Sequence, residues 1–211
     1  MAKAKKSKRA RPPTIKDHGA QILYEGAVTV VRRTLDVPRQ SRDELMRMER
    51  DVVRRKDAAA ALVHVTDRNV LVLARLFRAA AFDRGESGWM TEIVAGKVEQ
   101  GETPEDCIRR EIEEEVGYRA RDLTPVASGF VSPGYSAEKI HVFYAPVKAK
   151  DLVAPDAHGV DEAEDIARVE FTPKEFFKAL DKGVVQDAKS LIAGLWLRRH
   201  LRLAKKRKNK K

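Results

Sequence analysis

The segment from Gly96 to Tyr118 constrains the fold of this 211-residue chain more than any other part of it. Thr103 and Pro104 are typical of a helix start, because a threonine oxygen can accept an unpaired N–H group and proline fits the first helical position. Gly117 is typical of a helix end. The helix between them has apolar residues at spacing four, namely Ile108, Ile112 and Val116. The segment therefore predicts a glycine-containing loop and then a helix that buries one face.

The same helix carries Glu111, Glu114 and Glu115. Glu111 and Glu115 lie four residues apart, where like charges destabilise a helix, so a cation is expected between them. Clustered carboxylate oxygens suit a hard divalent ion, magnesium or manganese, that also binds substrate phosphates. The alternative is a solvated acidic helix face that Arg110 neutralises.

Charge divides the chain into a body and two basic ends. The net charge is +10, but six bases lie in residues 1–12 and seven in residues 202–211, with no acid in either end. The remainder has 29 Lys and Arg against 32 Asp and Glu, so the body is mildly acidic. We expect disordered tails at 1–19 and 202–211 with at most a weak, salt-sensitive contact to nucleic acid.

Hydrophobic periodicity predicts a β-rich unit over residues 20–57 and a larger domain over 58–201. The unit is too short to hold a core alone, so it should pack on something, such as a second subunit. No apolar run approaches the roughly 18 residues of a membrane span, and a single cysteine fits a reducing cytoplasm. The elements expected in the larger domain are strands at 58–66, 70–77, 126–131, 140–147 and 166–171, a glycine-rich passage at 85–101, and helices from 172 to about 183 and from about 187.

The pattern from Gly96 to Tyr118 resembles the Nudix box. That box begins with a glycine, five residues, a glutamate and seven further residues. It continues with Arg-Glu, an aliphatic residue, any residue, Glu-Glu, any residue, a glycine and a bulky apolar residue. The resemblance implies an α/β fold, an α/β/α sandwich that hydrolyses a nucleoside-linked diphosphate with magnesium, or manganese as the alternative. It implies Glu111 and Glu115 as principal metal ligands, Glu114 as a further one, and the carbonyl of Ala95 as another. Arg110 would orient the carboxylates and Glu102 would help to fix the loop, with Gly96 and Gly117 as the box glycines.

Residues outside the box resemble the ADP-ribose pyrophosphatase branch of this family. The marker is Ser132-Pro133-Gly134, followed by Glu138. Arg50 and Arg78 match arginines that hold the diphosphate in that branch, where guanidinium groups suit phosphate oxygens. The branch also implies a homodimer in which the small antiparallel N-terminal β unit is exchanged between subunits.

The resemblance places the general base on a late acidic loop, at Glu164 with Glu162 as the alternative, while Glu115 acts through the metal that activates the water. The expected reaction converts ADP-ribose into AMP and ribose 5-phosphate. GDP-mannose is the second substrate, because Gly85-Glu86-Ser87-Gly88 and the segment from Glu162 to Ile166 resemble a GDP-mannose hydrolase. The pattern is also compatible with a different nucleotide sugar as substrate, with an RNA 5′-end pyrophosphohydrolase, and with a nucleotide-sugar binding module without activity.

Overall fold

The structure, a computed structural model, describes residues 14–40, 44–157 and 165–208, with side chains described as far as residue 204. The strands are β1 (Lys16–Glu25), β2 (Thr29–Pro38), β3 (Leu45–Arg54), β4 (Ala58–Val65), β5 (Val70–Phe77), β6 (Trp89–Glu92), β7 (Val94–Lys97), β8 (Thr124–Phe130), β9 (Lys139–Val147) and β10 (Ala167–Phe171). The helices are α1 (Ala79–Asp83), α2 (Pro104–Val116), α3 (Pro173–Asp181) and α4 (Ala188–Lys208), and a 3₁₀ turn spans Ala149–Asp151.

The described residues form two compact units. The N-terminal unit contains the described residues up to Arg55 together with Ser132–Ala137, and the main unit contains Lys56–Val131 and the described residues from Glu138 onward. In the main unit seven strands form one mixed sheet with the order β10-β5-β4-β9-β8, in which β6 pairs with β5 and β7 pairs with β4. The pair β4–β9 is parallel and the other pairs are antiparallel.

The sheet of the main unit is covered by helices on both faces. Successive residues of β4 point to opposite faces, so Val63 packs toward α2 while Leu62 packs toward α3 and α4. The α2 face is closed by the stripe predicted from the sequence, Ile108, Ile112 and Val116. The opposite face is closed by residues such as Phe176, Ala193 and Leu197. The predicted α/β/α sandwich is thus confirmed.

The N-terminal unit is a three-stranded antiparallel sheet with the order β1-β2-β3. Within its described residues only Val31 is a fully buried apolar side chain, and every residue of β1 is exposed. The loop between β8 and β9 joins this unit through two backbone hydrogen bonds, from Val53 N to Tyr135 O (2.7 Å) and from Ala137 N to Val53 O (3.0 Å). The exchange of this unit between subunits stays a prediction.

Most predicted elements of the main unit are confirmed. The structure also contains the short helix α1, which the sequence analysis does not predict, and it differs from the predictions in three further places. Strand β1 begins at Lys16, inside the expected tail 1–19, because Asp17 pairs with Arg33 (2.9 Å) and His18 with Asp36 (2.8 Å) on the neighbouring strand. The passage 85–101 contains β6 and β7, which lie on the sheet by pairing with β5 and β4. Helix α4 continues to Lys208, through part of the expected tail 202–211, in a segment of strong helix formers. None of the helices in the described ranges has the length and apolar content that crossing a membrane requires.

Candidate active site

The guanidinium group of Arg110 on α2 holds three carboxylates together. Its Nε and Nη2 atoms donate to Glu102 (3.1 and 3.2 Å), and its Nη1 atom donates to Glu111 (2.8 Å) and to Glu114 (2.9 Å). These hydrogen bonds, with those to Glu102 making the largest contribution, raise the pKa of Arg110 above its ordinary value. Arg110 therefore offsets the repulsion that clustered carboxylates would cause on this helix.

Glu102 fixes the loop that leads into α2. Its carboxylate accepts hydrogen bonds from the Arg110 guanidinium group and from the backbone N–H of Glu99 (3.0 Å). The hydrogen bonds from Arg110 keep the pKa of Glu102 below its ordinary value. The helix then begins as predicted, because the Thr103 hydroxyl accepts from the Asp106 N–H (3.1 Å) with Pro104 in the first turn.

Gly96 lets β7 and α2 approach each other at the position of Glu111. A Cβ atom built on Gly96 would overlap the Glu111 carboxylate, so only glycine leaves room for that side chain. Gly96 has an ordinary negative φ, and its role is therefore one of space rather than of backbone freedom. Ala95, the residue before it, pairs with Ala60 in the centre of the sheet.

Gly117 ends α2 in the left-handed conformation, with φ of 79°, and its N–H donates to Glu113 O (3.1 Å). A Cβ atom at this position would meet the carbonyl of Ala154, whose N–H donates to Gly117 O (3.1 Å). Two residues earlier, Glu115 is 5% exposed. A carboxylate so far removed from water requires a compensating cation or hydrogen bonds.

The residues of the box fit a hard divalent cation. Glu111, Glu114 and Glu115 lie within two turns of one helix, and carboxylate oxygens are the ligands that such cations prefer. In the described parts of the chain, no three His, Cys, Asp or Glu side chains are already arranged around one metal-sized point. Glu111 and Glu114 both accept hydrogen bonds from the Nη1 atom of Arg110. The metal roles of these residues and of Ala95 therefore stay predictions.

Arg78, which directly follows β5 and precedes α1, is oriented by a residue that the sequence analysis missed. Its Nε and Nη2 atoms donate to the two oxygens of Glu92 in β6 (3.1 and 2.9 Å), and Lys189 of α4 donates to the same carboxylate (2.7 Å). Glu92 is 3% exposed. Burial raises its pKa, but the hydrogen bond from Arg78 and the charge of Lys189 outweigh burial and leave the pKa below its ordinary value. An acid within the otherwise uncharged run from Trp89 to Gly96 was the available signal.

The remaining predicted site residues are divided between the two units. Arg50 lies in β3 of the N-terminal unit, where its Nη1 atom donates to Glu49 O (2.7 Å). Ser132, Pro133 and Gly134 lie in the same unit, in a turn closed by a hydrogen bond from Ser136 N to Ser132 O (2.9 Å). Glu138 belongs to the main unit and is half-buried. Glu162 and Glu164, the two predicted bases, lie outside the described residues.

The fold and this site define an enzyme class, a hydrolase with an α/β/α sandwich and a carboxylate-rich helix that fits a divalent metal. Residues 54–194 match the family model described as the NUDIX domain. The chain belongs to the Nudix family.

The chain is similar to curated proteins named as ADP-ribose pyrophosphatases and GDP-mannose pyrophosphatases, and to solved structures. An ADP-ribose pyrophosphatase from Escherichia coli (strain K12) is 35% identical over 154 residues, which cover 72% of this chain and 73% of the relative. A GDP-mannose pyrophosphatase from Cronobacter sakazakii is 34% identical over 184 residues, which cover 87% of this chain and 92% of the relative. A crystal structure of an ADP compounds hydrolase superposes with a TM-score of 0.71 at 20% identity, covers 92% of this chain and 97% of its own, and supports the fold.

Proposed function

We propose that this protein hydrolyses ADP-ribose to AMP and ribose 5-phosphate, with magnesium as the divalent metal and manganese as the alternative. The observation that carries the proposal is the carboxylate cluster on α2, which Arg110 gathers within hydrogen-bond distance of one guanidinium group. Such a cluster suits a cation that binds diphosphate oxygens. The relatives named as ADP-ribose pyrophosphatases support the choice of substrate.

The chain's own residues have separate tasks in this reaction. Arg78 binds diphosphate oxygens, because a guanidinium fork matches their geometry, and Arg50 is proposed as a second diphosphate-binding arginine. The oxygen of a water molecule forms a bond to one phosphorus, and the P–O bond to the bridging oxygen breaks. Glu164, or Glu162, takes the proton that the water loses. The bridging oxygen leaves as part of the other phosphate group, so that AMP and ribose 5-phosphate account for every atom.

The metal would be held by Glu111, Glu115 and Glu114 with the carbonyl of Ala95. When bound, a divalent cation neutralises diphosphate charge and lowers the pKa of water. Arg110 and Glu102 keep the helix and its loop in place for that site, and Gly96 keeps space for Glu111. Ser132, Pro133, Gly134 and Glu138 are proposed to contact the nucleoside or sugar.

A homodimer is part of the proposal. The sheet of the N-terminal unit leaves β1 exposed and buries one apolar side chain in its described part, so a second copy is the natural cover for it. A cytoplasmic location and a weak nucleic-acid contact through the basic ends stay predictions.

GDP-mannose is the second candidate substrate, and one observation favours it. The match to the GDP-mannose pyrophosphatase covers 87% of this chain, against 72% for the ADP-ribose pyrophosphatase from Escherichia coli (strain K12). The same attack on phosphorus would then release GMP and mannose 1-phosphate. The two substrates differ in base and sugar but share the diphosphate that the site recognises.

The test measures turnover of ADP-ribose, GDP-mannose and ADP-glucose with magnesium, using a phosphatase to release phosphate from the products. Glu115→Gln, which removes a charge at nearly constant volume, should lower kcat on the preferred substrate at least about 10²-fold, since even outer partners of metal sites cost 10–100-fold. The matched control is Glu105→Gln, an exposed position in the first turn of the same helix, where kcat should stay within a factor of two.

Either of two results would contradict the proposal. Absence of turnover by the wild-type protein on all three compounds would refute a nucleotide-sugar hydrolase and favour an RNA substrate or a binding module. Equal turnover by wild type and Glu115→Gln would refute the placement of the metal site on α2.

A further inference from the structure

Four charged side chains form a continuous chain of ion pairs from α4 to the end of β5. Asp187 Oδ1 lies 3.0 Å from Lys189 Nζ, and Lys189 Nζ donates to Glu92 Oε2 (2.7 Å). The same Glu92 Oε2 atom accepts from Arg78 Nη2 (2.9 Å), while Glu92 Oε1 accepts from Arg78 Nε (3.1 Å). Two positive and two negative groups alternate along this ion-pair chain, so its formal charge is zero.

Three of the four side chains are inside the protein. The exposed side-chain fraction is 4% for Glu92, 9% for Asp187 and 17% for Lys189, but 40% for Arg78. Charges act strongly on each other at such depth because water screens them little. Burial lowers the pKa of Lys189, but Asp187 and Glu92 outweigh burial and leave the pKa raised, so Lys189 is a cation at neutral pH. The guanidinium group of Arg78 is the most exposed of the four charged groups.

The beginning of α4 is tied to the sheet around this ion-pair chain. The Ser190 hydroxyl accepts from the backbone N–H of Ile93 (2.9 Å), and Asp187 Oδ1 accepts from Ser190 N (3.1 Å) as the helix cap. Ser190 is fully buried. These contacts hold Lys189 at the Glu92 carboxylate independently of the charges.

We propose that Lys189 and Asp187 are positioning residues that set how strongly Arg78 binds the diphosphate of the substrate. This inference rests on the proposed function, in which Arg78 contacts the diphosphate. Because Glu92 accepts hydrogen bonds from both Lys189 and Arg78, it neutralises less of the charge of Arg78 than it would without Lys189, and this strengthens the attraction of Arg78 for an anion. Asp187 opposes this effect by sharing the charge of Lys189.

The two residues predict effects of opposite sign on substrate binding. Lys189→Met removes one of the two cations of the ion-pair chain. The remaining groups are Glu92, Asp187 and Arg78, and their combined formal charge is −1. The KM for ADP-ribose should then rise about tenfold while kcat stays within a factor of three, since the attacking water and the metal site are untouched. Asp187→Asn gives a charge of +1 and keeps the helix cap, because asparagine caps as well as aspartate does, so KM should fall about two- to fivefold.

The experiment measures KM and kcat for wild type, Lys189→Met, Lys189→Arg and Asp187→Asn. Lys189→Arg keeps the charge and should restore KM to within a factor of three of wild type. Arg199→Met removes one positive charge from an exposed position of the same helix and is the matched control, with KM unchanged. In an Arg78→Ala background, Lys189→Met should no longer change KM, because its effect is transmitted through Arg78.

A second measurement separates failure of this inference from failure of the proposed function. The Nε–H resonance of Arg78, assigned by its loss in Arg78→Ala, is recorded by NMR without substrate and should shift in Lys189→Met but not in Arg199→Met. If wild type hydrolyses no nucleotide sugar while the resonance shifts, the proposed substrate is wrong and the electrostatic coupling between Lys189 and Arg78 stands.

Three results would overturn the inference. They are an Arg78 resonance that does not move, an equal rise of KM in Lys189→Met and Asp187→Asn, and a KM effect that persists without Arg78. If Lys189→Met does not fold, Asp187→Asn alone decides, since only the charge argument predicts a lower KM.

Discussion

Gly96→Ala tests whether the carboxylate of Glu111 has the position that the site requires. The added methyl group would occupy the space of the Glu111 side chain, which then has to turn away from β7. Alanine is compatible with the backbone at this position, because the φ of Gly96 is not positive. The substitution therefore acts on one side chain of the site and not on the path of the chain.

The magnitude follows from the contacts that Glu111 would lose. Its hydrogen bond with Arg110 (2.8 Å) involves two charged groups and contributes about 1.5–3 kcal/mol, while replacing glycine by alanine in a strand returns about 0.5–1 kcal/mol. The expected net loss in the free energy of unfolding is about 0.5–2.5 kcal/mol, or roughly 1–10 °C in Tm for a chain of this size. A catalytic group misplaced by about 1 Å costs about 10²-fold, so we expect at least that loss in kcat/KM.

The assay compares Tm by circular dichroism with turnover of the preferred nucleotide sugar over a range of magnesium concentrations. Gly129→Ala is the control, because Gly129 also lies in a strand of the main unit, has no positive φ, and has open space where a Cβ would be. It should leave turnover unchanged and Tm unchanged or slightly raised. Full activity of Gly96→Ala at the wild-type magnesium requirement would refute the role given to Glu111.

Two further predictions concern the N-terminal unit. Asp36 accepts hydrogen bonds from Arg47 and His18, with that from Arg47 the larger effect, and these hold its pKa at about 2. Because the pKa is lower in the folded state, the stabilisation by Asp36 is complete above about pH 4 and is lost as the pH falls toward 2. A carbon NMR titration should show this midpoint, and Arg47→Met should raise it, whereas a wild-type midpoint near 4 would contradict the ion pair. Light scattering should give twice the mass of one chain, and Ile22→Asp, at an exposed position of β1, should shift the protein toward monomer. A wild-type monomer would refute the dimer.

The sequence predicted the elements whose signals are local. The helix of the box was found from Thr103, Pro104 and Gly117 because capping depends on residues within a few positions of the helix end. The role of Arg110 was inferred from the resemblance, and the structure shows the hydrogen bonds behind it. Strands β6 and β7 were missed for the opposite reason. Each has four residues and lies on the sheet because β5 and β4 offer backbone partners far away in sequence.

The group around Glu92 shows why part of a site cannot be found from spacing. Glu92 and Lys189 are 97 residues apart, and nothing near either residue indicates the other. Their contact exists because β6 pairs with β5, which brings Glu92 beside Arg78, and because Ser190 fastens the start of α4 to Ile93. The sequence shows an acid in an otherwise uncharged run, but the partners of that acid depend on how helix and sheet pack. The metal ligands lie on one helix and can be predicted from one motif, whereas the charge available on Arg78 depends on three elements at once. Substitutions on α4, at a position that no motif marks, should therefore change substrate affinity without changing the chemistry at the metal.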